Sequence, residues 1–117
     1  MPLSSRQIAN AALATMSQEE LRRSVVYLDP RLLETGATAS LNREEVSVTA
    51  PSLLAFVDLF PSANWGHACR YLLISLYDGE TRSFDGQFPP SRESLQIIHR
   101  GEGVEDWMLL SEKRLEE

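Results

Sequence analysis

A single cysteine, Cys69, is all the thiol chemistry the 117 residues contain. An intrachain disulfide is excluded, and the pattern suits a reducing compartment. Histidine is scarce too, with only two, His67 and His99. There is no CxxC, HExxH or HxxxH spacing. A metal site would need His67, Cys69, Asp58 and the distant His99 to converge, so no metal is expected. Phosphate-cradling, dinucleotide, serine-hydrolase and EF-hand motifs are also missing, and no cofactor is expected.

Basic residues are few: 11 Lys and Arg stand against 17 Asp and Glu, a net charge of −6. The adjacent pairs Arg22-Arg23 and Lys113-Arg114 sit among glutamates and read as solvated helix faces. Without a basic stripe, neither nucleic acid nor an anionic membrane is an expected partner. The longest apolar run, Leu53–Phe60, falls short of the ~20 residues of a membrane helix. The start of the chain lacks a basic segment followed by an apolar one, so no secretory signal is read there. The cytoplasm is the expected compartment. There is no internal repeat and no low-complexity tract.

What the chain does have is enough apolar material, 43%, to build one core, and its length fits a single domain over residues 1–117. Residues 1–36 read as a helical N-terminal part. Ser4 or Ser5 caps a first helix with Ile8, Ala11, Ala12 and Thr15 on one face. Ser17-Gln18-Glu19-Glu20 is a capping box. Leu21, Val25 and Leu28 continue at helical spacing, although Val25-Val26-Tyr27 is β-prone and a short strand is the alternative there. Asp29-Pro30 reads as a cap opening one further turn, Arg31–Glu34, stopped by Gly36. Residues 35–45 read as a connecting loop and Val46–Thr49 as a short strand.

Residues 46–88 form a β-meander in this reading. Leu53–Phe60 is one strand, Pro61–Gly66 a turn, and His67–Tyr77 a second strand. Asp78-Gly79 predicts a two-residue type I′ hairpin. Thr81–Phe88 is a third strand, ended by Pro89-Pro90. Residues 91–117 read as a C-terminal helical part. Ser91 caps a helix with Leu95, Ile97, Ile98 and His99, and Gly101 stops it. Val104, Trp107, Met108, Ser111 and Leu115 keep helical spacing, with a strand at Trp107–Leu110 as the alternative. The acids Glu102, Glu105 and Asp106 read as a first helical turn, and Glu112–Glu117 as a solvated end. The expected fold class is α+β: an antiparallel meander of three to five strands, with N- and C-terminal helices packed on one face.

Turn lengths propose a register. A loop at Pro61–Gly66 sets Phe60 opposite His67, Asp58 opposite Cys69 and Phe56 opposite Tyr71. A two-residue turn at Asp78-Gly79 sets Leu73 opposite Phe84. Opposed residues share a face. One face then carries Phe56, Asp58, Phe60, His67, Cys69, Tyr71, Leu73, Tyr77, Phe84 and Phe88. The other is aliphatic, with Leu53, Ala55, Val57, Leu59, Ala68, Leu72, Ile74 and Leu76, plus Arg70. The aromatic face is either a binding surface or a second core.

Two readings of function follow. The first is a non-catalytic module that binds a neutral or basic protein or peptide through the aromatic face and the 61–67 loop. Its contacts would be Phe60, Asn64, Trp65, His67, Tyr71 and Phe84. The alternative is a small thiol-dependent hydrolase or transferase. Cys69 would be its nucleophile, His67 the base and Asp58 the orienter, because residues i and i+2 of a strand lie about 6.5–7 Å apart on one side. A homo-oligomeric assembly subunit that buries the aromatic face against itself is a third possibility.

Overall fold

The computed structural model describes residues 1–41 and 43–115. Asn42, in the expected connecting loop, and Glu116-Glu117, in the expected solvated end, lie outside the described residues. The fold is α+β. Helices α1 (Ser5–Ala14) and α2 (Gln18–Arg23) are followed by strands β1 (Val25–Leu33), β2 (Thr38–Leu41), β3 (Glu44–Ser47), β4 (Ser52–Asp58), β5 (Cys69–Ser75), β6 (Thr81–Gly86) and β7 (Gln96–Arg100). Five strands make one antiparallel sheet in the order β6-β5-β4-β1-β7, and β2-β3 form a separate two-stranded sheet.

The first two of the expected helix starts form. The Ser4 hydroxyl accepts from the Gln7 amide, and the Gln7 side chain accepts from the Ser4 amide; Ser17 and Glu20 repeat the pattern. α1 turns Ile8, Ala9 and Ala12 into the core. α2 ends sooner than helical spacing predicts. Ser24 is already extended, and the β-branched Val25-Val26 begins β1, the strand given above as the alternative. β1 lies between β4 and β7, and its first five residues, Val25 to Asp29, are buried. That burial outweighs the weak helical pattern.

Asp29-Pro30 opens no helix. The β1–β4 register breaks between Asp29 and Leu33, where Pro30 has no N–H to give a ladder. The buried Asp29 carboxylate instead accepts from the Arg31 amide and guanidinium, the latter at 2.7 Å. The expected loop 35–45 contains β2, which pairs with β3.

The C-terminal part is not helical. Gln96-Ile97-Ile98-His99-Arg100 is an edge strand on β1, with a register shift at Ile98. Beyond it stand one 3-10 turn, Asp106–Met108, and an extended tail. The Ile97 amide donates to Lys113 O at 2.7 Å, and the Leu115 amide donates to Ile97 O. An open sheet edge rewards extended backbone with hydrogen bonds, which a short capped helix does not match.

The β4–β5 register is the expected one, with Phe56 opposite Tyr71 and Asp58 opposite Cys69. The β5–β6 register is two residues away from expectation: Leu73 opposes Arg82, and Tyr71 opposes Phe84. The turn there has four residues, closed by Ser75 N–H to Glu80 O at 2.9 Å. Gly79, at φ 72°, has a left-handed backbone whereas Asp78 does not, so type I′ geometry is not formed. A two-residue slip keeps every side chain on its face.

Both faces are covered. α1 packs on the aliphatic side, where Ile8, Ala12 and Met16 meet Val26, Leu28, Ala55, Val57, Leu72 and Ile74. The aromatic side is a second core. Ala39, Leu41, Val46 and Val48 from the small sheet and its flank, with Leu95 and Val104, cover Tyr27, Phe56, Tyr71 and Leu73. No helix among the described residues is long and apolar enough to cross a membrane.

Candidate binding surface

Asp58 ends β4, and its side chain is only 1% exposed. Its Oδ1 accepts from the Phe60 amide at 3.1 Å and meets His67 Nε2 at 2.8 Å. The other ring nitrogen, Nδ1, donates to Asn64 O at 2.8 Å. Both nitrogens of His67 are thereby occupied within its own loop and strand. Trp65 stacks on the ring, with centroids 4.3 Å apart and planes 20° apart, while Phe60 meets it edge-on.

Cys69 is therefore near Asp58 in register, but both nitrogens of His67, its expected base, are engaged by Asn64 O and Asp58. It is buried, its Sγ faces Phe88 O, and burial pushes the thiol up from 9.0 to about 11, with the charges of Asp58 and Asp85 adding to the effect. A thiol in that state yields little thiolate near neutral pH. His67 and Asp58 come together as expected; Cys69 does not join them as a nucleophile–base pair.

The aromatic candidates separate into buried and open. Tyr71 lies in the second core, and its hydroxyl donates to Phe88 O. Burial pushes its pKa to about 12, and does the same for Tyr27, whose hydroxyl accepts from the Leu110 amide. Phe84 is half-buried beneath the Arg82 guanidinium. Trp65 folds back onto His67 and Phe56. Tyr71 thus cannot serve as an open contact, and the sheet face as a whole is not a surface. Asn64 and Phe60 are exposed.

Met1, Leu32, Phe60, Tyr77, Phe88 and Trp107 are the large apolar side chains left exposed among the described residues, and of these Phe60 and Trp107 are joined by adjoining depressions. Phe60 is 42% exposed, with Arg23 of α2 stacked 5.2 Å from its ring. Trp107, 66% exposed, stands on the 3-10 turn that follows β7, and its indole N–H donates to Glu105. Two depressions join these side chains. One, of about 190 Å³, is walled by Leu59, Phe60, Pro61 and Met108. The other, of about 530 Å³, is walled by Trp107. They share Gly103 and Val104. Arg100 holds this turn in place by donating to Val104 O and to Asp106 Oδ1 at 2.8 Å. Glu102, Glu105 and Asp106 are exposed around it.

Trp107 and Met108 do not stand out in the sequence as candidate surface residues, because their helical spacing reads as a core stripe. The signal that could have found them is the pair Gly101 and Gly103, which bracket an acidic tip too short for a helix. No set of three or more His, Cys, Asp or Glu side chains suited to a metal is found among the described residues. His99 is engaged with Leu21 O.

Comparison with protein-family models, curated proteins and solved structures finds no match.

Proposed function

We propose that this chain is a non-catalytic module that binds a protein or peptide, and that its binding surface is the Phe60–Trp107 end of the sheet rather than the aromatic face. The observation that carries this reading is two large exposed apolar side chains, Phe60 and Trp107, flanking adjoining depressions around Gly103-Val104. Large aromatics in such a setting are the usual anchors of an interface. The exposed Glu102, Glu105 and Asp106 and the net charge of −6 favour a basic partner with an apolar side chain to insert. The thiol-enzyme alternative draws no support from a buried Cys69 whose expected base, His67, is engaged by Asn64 O and Asp58.

A displayed library of random peptides, panned on the wild-type chain and counter-selected on a Phe60→Ala/Trp107→Ala variant, tests this reading. Enrichment of basic sequences carrying an apolar anchor is expected. Failure to enrich any peptide, or enrichment of peptides that bind the variant equally well, would contradict it. Light scattering on the same samples would reveal a second copy as the occupant instead.

A further inference from the structure

The small sheet β2-β3 has a free edge beside a cleft. The Val48 amide donates to Ala37 O at 2.9 Å, so these two residues turn their main chains toward each other. Main-chain direction alternates along a strand. Ala39 and Leu41 therefore also face β3, and Thr38 and Ser40 face away from it. Ser47 confirms the phase: it opposes Thr38, and its carbonyl points outward to accept from the Arg82 guanidinium at 2.9 Å. Among the described residues, no hydrogen bond outside the ladder reaches the main chain of Thr38 or Ser40. Both residues border a cleft of about 300 Å³ that Leu33, Leu41, Leu54 and Pro90 help to line. Asp29 in the same lining is paired with Arg31 at 2.7 Å, so the cleft holds an ion pair and no unbalanced charge.

The other sheet edges are guarded. At β7, Lys113 and Leu115 already bond to Ile97. β6 carries the exposed charges Arg82 and Asp85, and Arg82 also engages the outer side of β3. Covering segments and charged side chains are what keep an added strand from an edge. β2, Thr-Ala-Ser-Leu, has neither. We infer that the free edge of β2 is a second docking surface, which takes one extended segment of a partner protein as a third strand of the small sheet. A peptide main chain fits this edge because its donors and acceptors repeat every 6.5–7 Å or so, as those of Thr38 and Ser40 do. A four-residue strand offers few such bonds, so the segment also needs a side-chain anchor. Its residue beside Ala39 points to the buried side, as Ala39 and Leu41 do, and into the cleft; it should be apolar. Its residue beside Ser40 points outward, on the side of the exposed Glu45 that opposes Ser40, and should be Lys or Arg. This surface is separate from the Phe60–Trp107 end and does not rest on it.

Amide hydrogen exchange on the free chain tests the edge itself: Thr38 and Ser40 should exchange faster than Ala39 and Leu41. A random-peptide library panned on the Phe60→Ala/Trp107→Ala variant tests the occupant. It should enrich sequences that alternate apolar and basic residues, and a selected peptide should slow exchange at Thr38 and Ser40. N-methylation of that peptide should abolish binding at alternate positions only. Ser40→Pro removes an N–H that the β2–β3 ladder does not use, and in the same background it should weaken binding about ten-fold or more. Peptides of this class are discarded by the counter-selection described above, so the two readings fail separately. Protected Thr38 and Ser40 amides in the free monomer would overturn the inference. So would a library that enriches nothing, binding unchanged by Ser40→Pro, or N-methylation that is tolerated throughout or harmful at consecutive positions. Protection that appears with dimerisation, followed by light scattering, would give the edge to a second copy and overturn it as well. If Ser40→Pro does not fold, the exchange and N-methylation patterns on the unaltered edge still decide.

Discussion

Cys69 and its neighbours carry the clearest consequences at the scale of single residues. A thiol held at about 11 and shut off from solvent should resist alkylation in the native state and react at the rate of unfolding. Measuring iodoacetamide labelling against denaturant checks this; rapid native labelling with a midpoint near neutral pH would contradict it. The same burial has a linkage consequence. Cys69, Tyr27 and Tyr71 each hold their proton more tightly folded than unfolded. Their contribution is complete below about pH 9 and is lost as pH rises through the folded values of about 11 and 12. Urea midpoints should therefore fall as pH rises above about 9. The sequence placed Asp58 opposite Cys69 correctly, because loop length fixes register. It could not tell that the Asp58 carboxylate turns to His67 and that the loop curls back over the strand end, since neither direction is encoded in strand periodicity.

Among the elements, β1 and β7 show where local pattern loses to the sheet. Val25-Val26 and Ile97-Ile98 are β-branched pairs set beside good helix signals, the Ser17 capping box on one side and Ser91 with Gly101 on the other. The pairing partners β4 and β1 decide between them, and those partners lie far away in the chain. Gly101 was read as a helix stop. Its actual role is close approach: a Cβ there would sit 2.4 Å from Arg22 O, where the Gly101 amide donates to Ser24 O and joins the end of β7 to α2. Gly101→Ala must push two backbones apart, and thermal or urea unfolding should register a loss of about 1–3 kcal/mol. An unchanged stability would show that the junction is looser than described. The hairpin at Asp78-Gly79 was legible as a turn but not in its length, and only the two-residue size of the slip preserved the faces.

For the whole molecule, the two-faced sheet was readable and its coverage was not. The alternation within Leu53–Phe60 and His67–Tyr77 separates an aliphatic face from an aromatic one. Nothing in Thr38–Leu41 or Glu44–Ser47 announces a small sheet that closes over the aromatics, because strands of four residues carry too little pattern. Phe56 sits at the centre of that second core, in ring contact with Tyr27, Trp65 and Tyr71. Phe56→Ala should cost roughly 3–5 kcal/mol by urea denaturation, a loss that an open, solvated face would not produce. With both faces closed, the recognition surface proposed above is the sheet's end. Phe60 and Trp107 are exposed there, so their removal should leave the fold nearly as stable as before. The most direct test is calorimetric titration of a display-selected peptide into the wild-type chain and into Phe60→Ala/Trp107→Ala. A loss of about 2 kcal/mol or more, ~30-fold in Kd, is expected from the double variant. Equal affinity for the two folded chains would place recognition elsewhere and contradict the account.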